Sequence, residues 1–172
     1  MLKIAFNKTI IDAPYGGSNH FLRMMKDYLI KNGFIFTDWK DAEILFLTGT
    51  REYNTNFWIK ELIESKRLNK KVIYRVNDCD LPRSTKEYDN NVKTIMELSN
   101  MVIFVSDWCK NYFKNKNIWN VNNCVIRNLP DKRYFYPNQG SNYDGKNLRI
   151  VTHHYSDNLQ KGYLVYCMKI LI

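Results

Sequence analysis

The chain predicts an α/β fold, a Rossmann-like open parallel sheet with helices on both faces, and three observations carry that prediction. Short β-branched and aromatic runs alternate with segments of helical period along the 172 residues. Most of those runs are apolar at every position, as in strands covered on both faces. Helix punctuation falls between them, with Gly33 as a stop and Ser106 as a start.

The elements follow in order. Leu2–Phe6 reads as the first strand. Ser18–Asn32 then places Phe21, Leu22, Met25 and Leu29 on one helical face, ending at the C-cap Gly33. Phe34–Thr37 and Ile44–Thr48 are the next strands. Asn56–Asn69 brings Ile59, Leu62 and Ile63 together as a helix, and Val72–Val76 returns to strand. Thr85–Ser99 aligns Tyr88, Val92, Ile95 and Met96 on a helix that leads to the strand Val102–Val105. Asp107–Lys116, capped by Ser106, carries Trp108, Tyr112 and Phe113, and Cys124–Ile126 is the following strand. Trp58, Trp108 and Tyr112 read as core because they sit at helical spacing. Pro137–Lys146 has linker composition, and a last strand-like run covers Leu148–Thr152. The domain organisation expected is therefore a first domain over 1–137, a linker over 138–147 and the start of a second domain over 148–172.

Composition bounds the function. With 45% hydrophobic and 25% charged residues the chain has the balance of a soluble globular protein, and no apolar run reaches membrane-spanning length. The N-terminus enters a strand directly, without signal-peptide architecture, so a cytoplasmic location is expected. Cys79, Cys109, Cys124 and Cys167 lack CxxC spacing and read as reduced thiols, not as a metal site or disulfide framework. The net charge of +9 is spread along the sequence, with small clusters at Lys66-Arg67 with Lys70-Lys71 and at Lys110, Lys114 and Lys116. This reads first as a solvated surface, with peripheral membrane contact or an acidic partner as the alternatives; no nucleic-acid partner is expected.

In open parallel sheets ligands bind beyond the carboxyl ends of the strands. That rule selects Asn7–Asn19, Thr48–Asn54, Asn77–Ser84 and Ser106 onward. The first contains Gly16-Gly17 before a helix, where backbone amides approach a ligand closely and the helix N-terminus offers unpaired N–H groups, though an ordinary turn would look the same. The absence of GxGxxG gives a nicotinamide reading little support. The third runs Tyr74-Arg75-Val76-Asn77-Asp78-Cys79-Asp80-Leu81-Pro82-Arg83-Ser84-Thr85. Its carboxylates suit hydroxyl recognition or general-base chemistry. Equally, Asp78 and Asp80 would serve as turn caps, paired with Arg75 or Arg83.

Taken together these segments resemble the family 4, or group 1, glycosyltransferases, whose GT-B fold sets two Rossmann-like domains face to face. Gly16-Gly17 looks like the glycine-rich loop after the first strand. Arg75-Val76-Asn77-Asp78-Cys79-Asp80 with Thr85 is similar to an R-I-N-D-C-D…T segment of one subgroup. Val102-Ile103-Phe104-Val105-Ser106-Asp107-Trp108 resembles V-F-V-S-x-W, and Val125-Ile126-Arg127-Asn128-Leu129-Pro130-Asp131 with Phe135 and Pro137 resembles V-I-x-N-G-x-D…F-x-P. Ile150-Val151-Thr152-His153-His154-Tyr155-Ser156 through Lys161-Gly162 looks like the first strand and loop of the donor-binding domain.

The resemblance implies transfer of a sugar from a nucleotide-diphosphate sugar to an acceptor hydroxyl on a glycan, lipid or protein, with retention and with neither metal nor other cofactor. It gives Lys161 a diphosphate contact and Ser156 a place in the same loop. Gly16 and Gly17 would face the cleft, and Asp78 would orient the acceptor or act as base, supported by Asn77 and Asp80. His153-His154 are then loop residues, with no third ligand at metal spacing. Two departures stand out. Leu129-Pro130 replaces a glycine-containing turn, and the Glu-x-seven-Glu element expected beyond Lys161-Gly162 is not in the sequence. The expectation is thus an acceptor-side domain with a truncated donor domain, which a separate chain would have to complete. The alternative is a non-catalytic sugar- or nucleotide-binding module.

Overall fold

The structure, a computed structural model, describes residues 1–12, 16–49, 55–81, 86–120 and 122–129. In chain order they form β1 (Lys3–Phe6), α1 (Gly16–Lys31), β2 (Ile35–Phe36), β3 (Ile44–Thr48), α2 (Thr55–Arg67), β4 (Lys71–Val76), α3 (Tyr88–Leu98), β5 (Met101–Phe104), α4 (Asp107–Asn115) and β6 (Asn123–Val125). The strands make one sheet in the order β2-β1-β3-β4-β5-β6, and every pairing is parallel. The chain is thus an α/β protein of Rossmann-like architecture. It divides into two units, Met1–Asn128 and Leu129–Ile172, and all the described residues except Leu129 belong to the first. The linker 138–147, the strand Leu148–Thr152 and the second domain 148–172 lie outside the described residues.

The continuous apolar runs are explained by two cores, one on each face of the sheet. Because successive strand residues point to opposite faces, Ile4, Ile44, Phe46 and Ile73 meet Leu22, Phe21, Met25 and Leu29 of α1. The intervening residues, Leu45, Leu47, Val72, Tyr74, Val76, Val102 and Phe104, meet Leu62 of α2, Val92 and Met96 of α3, and Phe113 of α4. In β4 this alternation leaves one exception: Arg75 stands where the α1 face would otherwise take an apolar residue.

Helix ends are set by identifiable groups. Gly33 has φ +83°, donates its N–H to Ile30, and is followed by Phe34 bonded to Leu29, which is the left-handed stop read from sequence. Ser106 accepts from the Cys109 N–H at 3.1 Å and starts α4, again as read. α3 differs, beginning at Tyr88 rather than Thr85, for a reason given below.

Between β2 and β3 the chain crosses without a helix, and Lys70 holds that crossing. Its ammonium donates to the carbonyls of Trp39 (2.9 Å), Ala42 (2.9 Å) and Lys40, and lies over the Trp39 ring at 5.9 Å. Lys70 therefore does not belong to a solvated basic surface; it neutralises carbonyls that no strand satisfies. Two apolar residues also depart from the sequence reading. Trp108 is 55% exposed and stacks on Tyr112, because Cys109 and Phe113 take the buried stripe of α4. Ile63 is 53% exposed, since α2 turns Glu61, Leu62 and Ser65 inward instead. The side chain of Trp58 lies outside the described residues.

Glu61 is the cost of that phase. It lines an open cleft of about 620 Å³ beside Trp39, and its Oε2 is buried without a hydrogen-bond partner. Burial pushes its carboxyl up from the ordinary value, Asp38 pushes the same way, and Lys40 partly opposes. A carboxyl raised in the folded state contributes stability while protonated and loses it as pH rises through its folded value. Glu61→Gln is therefore expected to raise Tm at about pH 7, with the gain fading as pH falls to about 3, below the unfolded value, where both states are protonated. Thermal melts at the two pH values check this, and an equal gain at both would contradict it. Lys70→Met is expected to cost about 1.5–3 kcal/mol in urea unfolding, the range for hydrogen bonds to a charged donor.

Candidate binding site at the carboxyl edge of the sheet

The winding of the sheet reverses between β1 and β3. The chain steps outward from β1 to β2, then returns past β1 to β3 and continues the other way. Loops leaving β1 and β3 therefore diverge, and the crevice between them is where open parallel sheets place ligands.

Side-chain amides build the walls of that crevice. Asn7 continues the ladder past the end of β1: its backbone N–H donates to Phe46, its Nδ2 donates to the Thr48 carbonyl (3.3 Å), and its Oδ1 accepts from the Thr48 N–H (3.0 Å). Asn19, in the first turns of α1, does the same for Ile11, accepting from its N–H at 2.8 Å and donating to its carbonyl at 2.7 Å. Each amide substitutes for a peptide group that the loop could not otherwise pair. Gly49 follows β3 with φ +71°, and a Cβ there would meet Lys8 Nζ at 3.3 Å and Asn77 Oδ1 at 3.9 Å.

Strand periodicity collects the polar residues above the apolar core of the α1 face. Lys8 follows Ile4 and Phe6, Thr48 follows Phe46, and Arg75 and Asn77 follow Ile73, all at alternate positions. Thr48 pairs with Arg75 in the β3–β4 register. Arg75 is 4% exposed, and its guanidinium lies 4.1 Å from the Phe21 ring centroid and donates to Asn128 Oδ1 (2.6 Å) and Thr48 Oγ1 (3.5 Å). Burial pulls its pKa down, which is the cost of a desolvated cation. Asn77 Oδ1 and Ser18 Oγ are both buried without hydrogen-bond partners. Ser18 lies one turn before Phe21 on the same side of α1, toward the carboxyl edge.

The two aspartates separate. Asp80 is buried, and its carboxylate accepts from the Tyr88 N–H (3.0 Å) and the Asp89 N–H (3.1 Å), while its own N–H donates to Asp89 Oδ1 (2.8 Å). Asp89 also accepts from Tyr112 Oη and pairs with Lys116, both at 2.7 Å. Asp80 is thus a cap supplied from eight residues away, and it fixes the start of α3 at Tyr88. Between the two sequence alternatives for Asp80, capping is the one its bonds express. Asp78 is half-buried, and its Oδ1 accepts from the Cys79 N–H at 3.0 Å. It lies on the α3–α4 side: burial pushes the Cys109 thiol up to about 12, with Cys79, Asp78 and Asp89 adding negative charge.

Of the residues singled out from sequence, the structure brings Asn77 to the α1 face and turns Asp78 away from it. Gly16 and Gly17 fall inside the first turn of α1 rather than in the preceding loop, so their N–H groups belong to the unpaired start of a helix. A Cβ on Gly17 would meet nothing within 4 Å. Ser156 and Lys161 lie outside the described residues, as do Arg83, His153 and His154. Arg75 bonds Asn128 and not an aspartate. Lys8, Ser18, Thr48 and Gly49 lie in the selected segments Asn7–Asn19 and Thr48–Asn54 but were not named as site residues; following the alternation to the last residue of β3 and two residues past β1 would have found Thr48 and Lys8. No helix among the described residues is long and apolar enough to cross a membrane. No protein-family model matches the sequence, and no curated protein matches it either.

Removing the Asp80 carboxylate orphans two buried amides. Asp80→Ala is expected to cost about 2–4 kcal/mol in urea unfolding, against less than about 1 kcal/mol for Asp78→Ala. Equal losses would show that both aspartates are structural.

Proposed function

We propose that the chain is the acceptor-side part of a glycosyltransferase that moves a sugar from a nucleotide-diphosphate sugar to an acceptor hydroxyl. The observation that carries this reading is the polar carboxyl edge at the reversal of the sheet. Unpartnered hydrogen-bonding atoms and cations stand there beside the start of α1, above an otherwise apolar face. The ordered resemblance of the sequence segments to group 1 glycosyltransferases supports the same reading.

In this reading Asn77 holds a substrate hydroxyl and Asp78, at the same edge, orients the acceptor or takes its proton. The amides of Gly16 and Gly17 face the donor phosphates. Lys161 supplies a compact positive charge to the diphosphate, and Ser156 stands in the same loop. Leaving-group stabilisation by such donors and positioning of the acceptor are the main contributions to rate, without a metal ion. Peripheral contact of the basic surface with a membrane fits a lipid-linked acceptor.

The test is turnover of a panel of nucleotide-diphosphate sugars, read as nucleoside diphosphate released, with calorimetry on the same samples. Release with at least one donor is expected when a donor-binding domain is supplied alongside the chain, and not from the acceptor-side part alone. Asp78→Asn should lower kcat by about 10²-fold, the low end for a lost acid–base group, without shifting the unfolding midpoint. Neither binding nor release with any donor, with a donor-binding domain supplied, would overturn the proposal; turnover by the chain alone would overturn its reading as an acceptor-side part.

A further inference from the structure

Among the described residues, the α1 face of the carboxyl edge carries two positive charges, Lys8 and Arg75, that no carboxylate meets. Among the described residues, Arg75 is held only by Asn128, Thr48 and the Phe21 ring, although it is 4% exposed. A buried cation is ordinarily paired, because the desolvation it suffers amounts to several kcal/mol. Lys8 is half-buried and makes no ion pair or hydrogen bond among the described residues, and its ammonium stands where a Cβ on Gly49 would crowd it. Two neutral atoms at the same edge, Asn77 Oδ1 and Ser18 Oγ, are buried and unpartnered.

These four groups specify complementary chemistry. The cations call for an anion, and the start of α1 adds unpaired N–H groups that favour one. Asn77 Oδ1 only accepts, so it calls for a hydroxyl on the ligand. A ligand carrying both a phosphate and hydroxyl groups offers each of them a partner, whereas a neutral sugar leaves the charges unmet and a bare phosphate has no hydroxyl for Asn77 beyond its own P–OH.

The geometry points to a sugar-phosphate site at the reversal of the sheet, with Lys8 and Arg75 on the phosphate and Asn77 on a sugar hydroxyl. The site itself stands independently of catalysis. Its assignment to the acceptor, making the acceptor a phosphorylated sugar, rests on the transfer reading above. The same phosphate chemistry could come from a donor diphosphate, and the experiment separates the two.

Calorimetry with inorganic phosphate, glucose 6-phosphate and uridine diphosphate, each at ionic strength matched with chloride, tests the site. Glucose 6-phosphate is expected to bind most tightly and inorganic phosphate more weakly. Lys8→Gln, at a half-buried position with no hydrogen bond among the described residues to lose, should weaken glucose 6-phosphate binding about tenfold, the loss for one charge-assisted hydrogen bond. Asn77→Ala should narrow the gap between glucose 6-phosphate and inorganic phosphate, which a purely electrostatic patch would not do. No binding above the chloride control, or binding untouched by Lys8→Gln, overturns the site. Uridine diphosphate binding more tightly than glucose 6-phosphate, and losing as much in Lys8→Gln, overturns the acceptor assignment. Sugar-phosphate binding that persists when no nucleotide sugar is turned over supports the site and counts against the transfer reading alone.

Discussion

A parallel sheet leaves backbone groups open at its carboxyl edge, and the rest of this structure depends on how those groups are met. Here side chains meet them in place of further strand. Asn7 pairs with both backbone groups of Thr48, Asn19 with both of Ile11, and Asp80 with the first amides of α3. The other edge follows the same rule, with Asn100 accepting from the Val72 N–H and Asn120 donating to the Met96 and Ser99 carbonyls. A loop tied this way keeps its position when a ligand arrives, so less ordering entropy opposes binding. The scaffold for a site therefore exists before any ligand does.

Against that scaffold the charge at Arg75 stands out. Its position in β4 belongs to a face that is otherwise Ile and Phe, and an apolar residue there would extend the core toward the edge. The stacked Phe21 ring and the bonds to Asn128 and Thr48 recover part of the desolvation. None of these brings negative charge. Asp89 shows how the same fold treats a buried charge it uses structurally: it receives Lys116, a Tyr112 hydroxyl and a backbone amide together. The same fold thus holds a fully met carboxylate and a partly met guanidinium.

The fold was legible in the sequence because its signals are local. Apolar runs longer than any alternating pattern gave a sheet covered on both faces, and Gly33 and Ser106 act through their own turns. What was not legible came from elsewhere in the chain. The start of α3 is set by Asp80, across residues that no periodicity links to Tyr88. Lys70 looked like one of a cluster of surface lysines, yet it meets carbonyls from some thirty residues earlier. Trp108 and Ile63 were misplaced because an apolar stripe read from spacing alone has no fixed phase. On α2 and α4 the packing against the sheet retained Leu62 and Phe113 from that reading and added Glu61, Ser65 and Cys109.

The same period explains why the site was only half visible. Asn77, Asp78 and Asp80 are adjacent in sequence, so they read as one polar cluster. A chain leaving a strand keeps alternating for a residue or two, which sends Asn77 toward α1 with Arg75 and Asp78 toward Cys109 with Tyr74. The edge is thereby divided by β4 itself into a basic side and an acidic side. The acidic side is closed by caps and by buried thiols, while the basic side keeps unpartnered atoms beside a helix start. A substrate that must present both phosphate and hydroxyl would meet the basic side with its charge and reach across the end of β4 to Asp78 with a hydroxyl. The division that broke the cluster apart is thus the feature that would let one edge handle two kinds of group on one ligand.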